Sequence, residues 1–538
     1  MIRQIAISLI LTAACASASK PQTAPVVPLP AEMKTCPKAS FRTDRAVGIC
    51  VDEEVDPSVV LTANLFACKI TGRPECDDNP AAIISITSDA CLAAEAYLLK
   101  VSPDTIYIGA SSPAGFFYAF QTLTQLHGSS PESDIMCVEI SDTPRMKWRG
   151  LMIDEGRHFF GKEQIKKVLD LMALYKLNRF HWHLTEDQGW RIEIKKWPKL
   201  TTVGAWRDSE KIAWHQWQAE KLEKPYGGFY TQDDIREIVD YARERFIEII
   251  PEIDLPGHTQ AMVASYPEIL ACDPESTHEV WDQSGVSNDV MNVASPEAAA
   301  MAKDIIDELI ELFPYGYIHL GGDECPTKKW QDNDLCRARL KEIGSDDYRD
   351  LQLDFYRSLQ RHIDAKPADK RRKLIFWNEV LHGNTSMLSD STTIMSWIGT
   401  AQAEADGRKA ASLGYNVIMT PQVPYYINRR QSVDPREPRT QGEGTETLEK
   451  VYGYRPLSDV PSELTSRYLG VQANFWSEFV PDGKTLEYLL LPRLTAVAEA
   501  AWTPDYRRDY GDYLNRLRPQ HRMLTNMGYN FAPYVFEE

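Results

Sequence analysis

The stretch YIHLGGDECP, Tyr317 to Pro326, begins as a buried-strand pattern and finishes in two glycines and two adjacent acids, Asp323 and Glu324. A charge taken out of water without a partner is costly, so an acidic pair closing an interior strand calls for compensating groups or for a function that uses it. As a lone dipeptide, Asp-Glu reads more readily as a solvated loop start. The surrounding sequence decides otherwise. Seven more strand-like runs occur, WRGLMID, RFHWHL, FIEIIPEID, KLIFWNE, TTIMSWIG, YNVIMTP and YLGVQANFW, with helical patterns in most of the gaps. Eight such units predict an α/β fold, a (β/α)8 TIM-type barrel. Nearly every run ends on a chemically equipped residue: Asp154, His183, Asp254, Asp323 with Glu324, Glu379, Trp397, and Trp476 with Glu478. The carboxyl-terminal strand ends form the active face of such a barrel, so these residues are expected to converge.

The intervening helices carry their own signals. In KEQIKKVLDLMALYKL, Ile165, Val168, Leu169 and Met172 repeat at helical spacing, and TQDDIREIVDYARERF opens with Thr231 and Asp234 at capping-box spacing. Ahead of the barrel, AAIISITS, the hairpin-like AYLLKVSPDTIYIGA and the apolar helix AGFFYAFQTLTQLH predict a small α+β domain over residues 25–142, followed by the catalytic barrel with a C-terminal helix over 143–538. Residues 1–18 have the layout of a secretory signal: Arg3, an apolar core from Ile5 to Ala14, then small residues. Cleavage near Ala18 competes with a lipid anchor at Cys15, although Thr12 stands where a lipoprotein signal usually carries Leu. The protein is expected to be exported, as a periplasmic, cell-surface or secreted protein.

With 59 basic and 77 acidic side chains the formal charge is -18, which repels nucleic acid and gives no basic patch for anionic membranes, so no phosphate-backbone partner is expected. Thirteen tryptophans and 24 tyrosines offer flat faces for sugar rings, though such residues usually fill cores. Cys36, Cys50, Cys68, Cys76, Cys91 and Cys137 fall in the first 140 residues, and an oxidising compartment permits disulfides there without fixing a pairing. Cys272, Cys325 and Cys336 lack the paired spacing of a zinc knuckle and read as structural, with a bridge among them left open.

Carboxylates, tryptophans and Arg157, without a nucleophilic Ser, Cys or Lys in a recognisable setting, suggest glycoside cleavage. The ordered words RGLMIDEGRHF, HWHLTEDQGWRIEIKKWPKLT, YTQDDIREIVDYARERFIEIIPEIDLPGH, HLGGDE, FWNE, SWIG, YYIN, QANFWSE and PRLTAVAEAAW resemble the family 20 glycoside hydrolases, the β-N-acetylhexosaminidases, over roughly residues 25 to 515. That resemblance implies an exo-acting, retaining enzyme that removes terminal GlcNAc or GalNAc from chito-oligosaccharides or from glycoprotein and mucin glycans, with no cofactor and no metal. The nucleophile would be the sugar's own 2-acetamido oxygen. Glu324 would be the general acid and later the base, Asp323 the acceptor of the acetamido N–H, and Tyr426 the donor to its carbonyl. Arg157 and Glu478 would bind hydroxyls, Trp377, Trp397 and Trp476 would wall the pocket, and Asp187, Asp254 and His258 would tune or contact the site. Asn428 stands where the family usually has Asp, and Glu186 and Gly156 also differ from common choices without being expected to touch the core chemistry. Two rivals are weighed against this. One is a metal-dependent amide hydrolase built on the H-x-H of His181 and His183, with His258 or Asp323 as further ligands. The other is a non-catalytic sugar-binding protein, which would have no need of a proton donor.

Overall fold

The computed structural model describes residues 23–73, 80–128, 133–209, 225–440, 442 and 444–537. The signal reading at 1–18 with its Cys15 alternative, and Cys76, lie outside the described residues.

The eight runs form one closed parallel barrel. Its strands are β1 (Trp148–Asp154), β2 (Arg179–His183), β3 (Glu248–Glu252), β4 (Tyr317–His319), β5 (Lys373–Trp377), β6 (Thr393–Ser396), β7 (Asn416–Met419) and β8 (Tyr468–Phe475). Their interiors are almost wholly buried, as strands covered on both faces must be. Helices Lys162–Leu174, Gln232–Arg243, Pro296–Leu312 and Arg349–Asp364 cover the barrel from outside. The first buries Ile165, Val168, Leu169 and Met172, and the second starts on a capping box between Thr231 and Asp234. The β5–β6 connection carries two 3-10 turns, Asn378–His382 and Thr385–Met387, in place of a helix.

Strand register explains why distant residues meet. Asp154 pairs with His183, His183 with Glu252, and Glu252 with His319 across β1 to β4, so four polar side chains end in one layer. Ahead of the barrel, a six-stranded mixed sheet holds its own core with helices Pro57–Thr71 and Pro113–His127. Buried charges lock this domain to the barrel. Lys176 Nζ meets Asp142 at 3.1 Å and the Tyr97 hydroxyl at 2.8 Å, and Arg149 meets Glu95 at 2.7 Å. Removing one member of such a pair strands the other's charge.

One boundary differs from the sequence expectation: β4 ends at His319, and Leu320 to Glu324 form a loop. Gly321 and Gly322 adopt positive φ (65° and 101°), which ends the ladder, while Trp377 N donating to Gly321 O at 3.0 Å keeps the loop against β5.

Candidate active site

The Leu320–Glu324 loop positions the acidic pair. A Cβ on Gly321 would stand 1.7 Å from Asp254 Oδ1, so only glycine lets the loop pass, and the Gly322 amide donates to that same oxygen at 3.1 Å. Glu324 itself takes φ 44°, uncommon for a residue with a side chain. The consequence is a division of environments. The Asp323 side chain is 10% exposed and the Glu324 side chain 45% exposed, so one acid faces inward and the other the pocket opening. Backbone strain in the loop achieves this, and strand alternation plays no part.

His258 stands between them, its Nε2 3.8 Å from Asp323 Oδ2 and 3.7 Å from Glu324 Oε2. Burial opposes its charge, yet Glu186, Asp323 and Asp187 together hold its pKa well above the ordinary imidazole value, so it is an imidazolium. Burial and then Asp323 push Asp254 well above the usual carboxyl range. Burial raises Asp323 as well, with Glu252 adding and His258 opposing. Glu324 is raised by burial and then by Asp323, against His258 and Arg157. Both acids are thus raised, and the charge of Asp323 is one of the groups that raises Glu324.

The pocket above the pair is lined by Arg157, His258, Trp397, Gln422, Tyr426, Trp476 and Glu478. A larger groove of about 550 Å³ beside helix Pro296–Leu312 is bounded by Lys195, Asp307, Glu308, Glu311, Lys366 and Lys370, among which Lys366 pairs with Asp307 and Lys370 with Glu311, so chemistry and not size marks the site. Arg157 lies over the Trp476 ring at 5.1 Å and is held by Gln188 at 3.1 Å, Asp154 at 3.4 Å and Glu186 at 2.8 Å. Three of its five N–H groups are thereby used, which leaves two for a ligand. Trp397 and Tyr426 stack at 5.9 Å and 14°. Glu478 is raised by burial against Arg157, and its Oε2 has no partner among the described residues. Trp377, 1% exposed, sits behind Trp476, with ring centres 6.2 Å apart.

Beneath this floor Glu252 accepts from Trp377 Nε1 (2.9 Å) and shares a hydrogen bond with His183 Nδ1, while His319 Nδ1 (2.8 Å), which accepts the Gly321 amide, and His181 Nε2 (2.9 Å) stand beside it. Burial would raise its pKa, but the three histidines hold it well below the carboxylate range. The H-x-H pair therefore turns away from the pocket onto one carboxylate that supports the wall through Trp377. His181, Glu252 and His319 come close enough for an ion, as do Asp254, His258 and Asp323, but the first group is sealed and the second forms the acid network just described.

Two expectations need correction. Asp187 does not line the pocket: it is fully buried, its oxygens taken by the amides of Gln260 (2.9 Å) and Ser287 (3.0 Å), and it acts on the site through His258, at 3.6 Å. Glu186, set aside from the sequence, is the hub, contacting Arg157 at 2.8 Å, His258 at 3.1 Å and His183 at 3.2 Å. Its unusual partner explains the room it occupies, since a Cβ on Gly156 would lie 2.5 Å from Glu186 Cβ. Gly156→Ala should displace Glu186 and misplace Arg157 and His258, lowering kcat/KM about 10²-fold. Glu186→Gln should act through the same link, so the double variant should be no worse than the worse single; additive losses with unchanged folding would separate the two residues.

Glu379 and Gln422 also escaped selection as site residues. Glu379 ends the β5 run and accepts the Trp397 indole N–H at 2.9 Å; burial and then Asp323, against that indole, push it up to about 8. Below that pH it is neutral, and above it a new anion appears beside Asp323. Glu379→Gln, neutral at all pH and still an acceptor for Trp397, should extend the alkaline limb of kcat/KM upward. An unmoved limb would assign it to Glu324 alone. Asn428, 3% exposed, leaves its Oδ1 without a partner among the described residues.

The chain matches the family model "Glycosyl hydrolase family 20, catalytic domain" over residues 146–505 and "Glycosyl hydrolase family 20, domain 2" over residues 23–143. It is 38% identical to a β-hexosaminidase of Porphyromonas gingivalis, covering 94% of this chain and 64% of that protein, so it spans just under two thirds of that relative. A Vibrio furnissii β-hexosaminidase is 37% identical over 78% of this chain and 67% of its own length. Among solved structures, a GH20 exo β-N-acetylglucosaminidase from Vibrio harveyi, in complex with N-acetylglucosamine, superposes with a TM-score of 0.83 at 34% identity, covering 94% of this chain and 78% of that one.

Proposed function

Because the chain belongs to glycosyl hydrolase family 20, we propose that it is an exo-acting β-N-acetylhexosaminidase that releases terminal GlcNAc, and GalNAc, from the non-reducing ends of glycans with retention of configuration. The observation that carries this reading is the unequal pair at the head of the loop: Asp323 turned inward, 10% exposed, and Glu324 outward at the pocket, 45% exposed. Two carboxyl groups flanking a glycosidic bond serve ordinary retaining hydrolysis, whereas an inward carboxylate is placed to hold a substrate amide. Asp323 accepts the acetamido N–H, Tyr426 donates to the acetamido carbonyl, and that carbonyl oxygen attacks the anomeric carbon. Glu324 protonates the departing oxygen, then takes a proton from the water that opens the bicyclic intermediate. Arg157 and Glu478 bind hydroxyls, and Trp397, Tyr426 and Trp476 carry the ring and enclose the methyl. The Vibrio harveyi relative's bound N-acetylglucosamine supports the choice of sugar.

Export, with or without a lipid anchor, is part of the proposal and rests on the layout of residues 1–18. Among the described residues no helix is long and apolar enough to cross a membrane. Time-resolved NMR of a chito-oligosaccharide digest tests the reaction. GlcNAc should appear first as the β-anomer, one unit at a time, while early internal fragments or an initial α-anomer would contradict it.

A further inference from the structure

Cys272 and Cys336 are 64 positions apart in sequence yet share one small core with Trp330 and Leu340. Asn333 spans them: its Nδ2 donates to Cys272 O at 2.9 Å and its Oδ1 accepts from Cys336 N at 3.0 Å, so one side-chain amide bridges the two backbones. Cys336 Sγ is also 3.3 Å from Asn292 Oδ1, and Asn292 N donates to Leu270 O at 2.8 Å, which closes the same corner from the other side. The largest influence on the titration of each thiol is the side chain of the other. Cys325, next to Glu324, packs against the same core.

We propose that Cys272 and Cys336 are the sites of a disulfide that ties the segment after the His258 loop to helix Asp334–Glu342, which begins shortly after the acidic pair. Both carry free thiols here, and the change is a two-electron oxidation. Each thiol gives up a proton and one electron, the S–S bond forms, and a disulfide oxidant such as oxidised glutathione is reduced to two thiols. The two segments are already joined by Lys329 to Asp273 at 2.6 Å and to Asp289 at 3.1 Å, and by Trp330 Nε1 to Met291 O at 2.9 Å. These contacts already hold the two segments together. Its main effect falls on the unfolded chain, whose 64-position loop it closes. The inference is independent of the reaction proposed above.

The test equilibrates purified full-length protein with oxidised glutathione, alkylates it after denaturation without reductant, and maps peptides by mass. A Cys272–Cys336 cross-linked peptide is the expected result. Alkylation of both residues, or a bond from either to Cys325, overturns it. A stability readout runs beside it: oxidation should raise the melting midpoint by about 5–10 °C, and Cys272→Ser, Cys336→Ser and the double variant should each lose that gain while keeping activity at 25 °C. An equal gain in the double variant would also overturn the assignment. Should the serine variants fail to fold, the peptide map of the unmodified sequence decides alone.

Discussion

Asp323→Ala slows formation of the glycosyl intermediate by about 10²–10³-fold for activated aryl glycosides and natural oligosaccharides alike, the range expected when one preorganised electrostatic partner of a transition state is removed. Asp323 acts on the nucleophile, and every substrate needs that nucleophile whatever leaves. The loss also reaches inward, because Asp323 helps to raise the pKa of both Asp254 and His258. A stable thiazoline mimic of the bicyclic intermediate should bind the parent protein tightly and this variant poorly. Pre-steady-state rates that depended on the leaving group as steeply as in a Glu324 variant, or equal binding of the mimic, would refute the role given to Asp323.

Glu324→Gln shows the opposite selectivity. A positioned general acid contributes about 10²–10⁴ in rate, and it matters most when the departing oxygen is a poor leaving group. Natural oligosaccharides should therefore lose nearly all of that factor in the first step, and a dinitrophenyl glycoside much less. Added azide, which attacks without base assistance, should restore turnover of the dinitrophenyl substrate and yield the β-glycosyl azide. Equal losses on both substrates, or no azide product, would remove Glu324 from the role of acid and base.

The barrel was legible because its strands are short apolar runs ending on polar residues, and parallel strands buried on both faces leave that pattern. The acidic pair was legible for the same reason, although the sequence suggested a strand through Glu324 where glycine-dependent geometry makes a loop. The assignment of neighbours fared less well. Asp187 and Glu186 are adjacent acids in TEDQGW, and nothing in their order reveals that backbone amides consume the first while Arg157 and His258 meet the second. Gly156 carries no signal until the 2.5 Å approach of Glu186 Cβ is seen. Likewise His181 and His183 in HWH have the spacing of metal ligands, and only the register with Glu252 turns them into a support for Trp377. Such roles depend on which atoms meet across the barrel, information that a run of residue types does not hold.

The claim at the centre of this account is that the substrate's own acetamido oxygen is the nucleophile, held by Asp323. Replacing the acetyl group by mono-, di- and trifluoroacetyl in one aryl glycoside weakens that oxygen stepwise while changing size little. The rate of intermediate formation should fall steeply and monotonically along the series, and a rate that stays flat would mean that a group of the protein attacks instead.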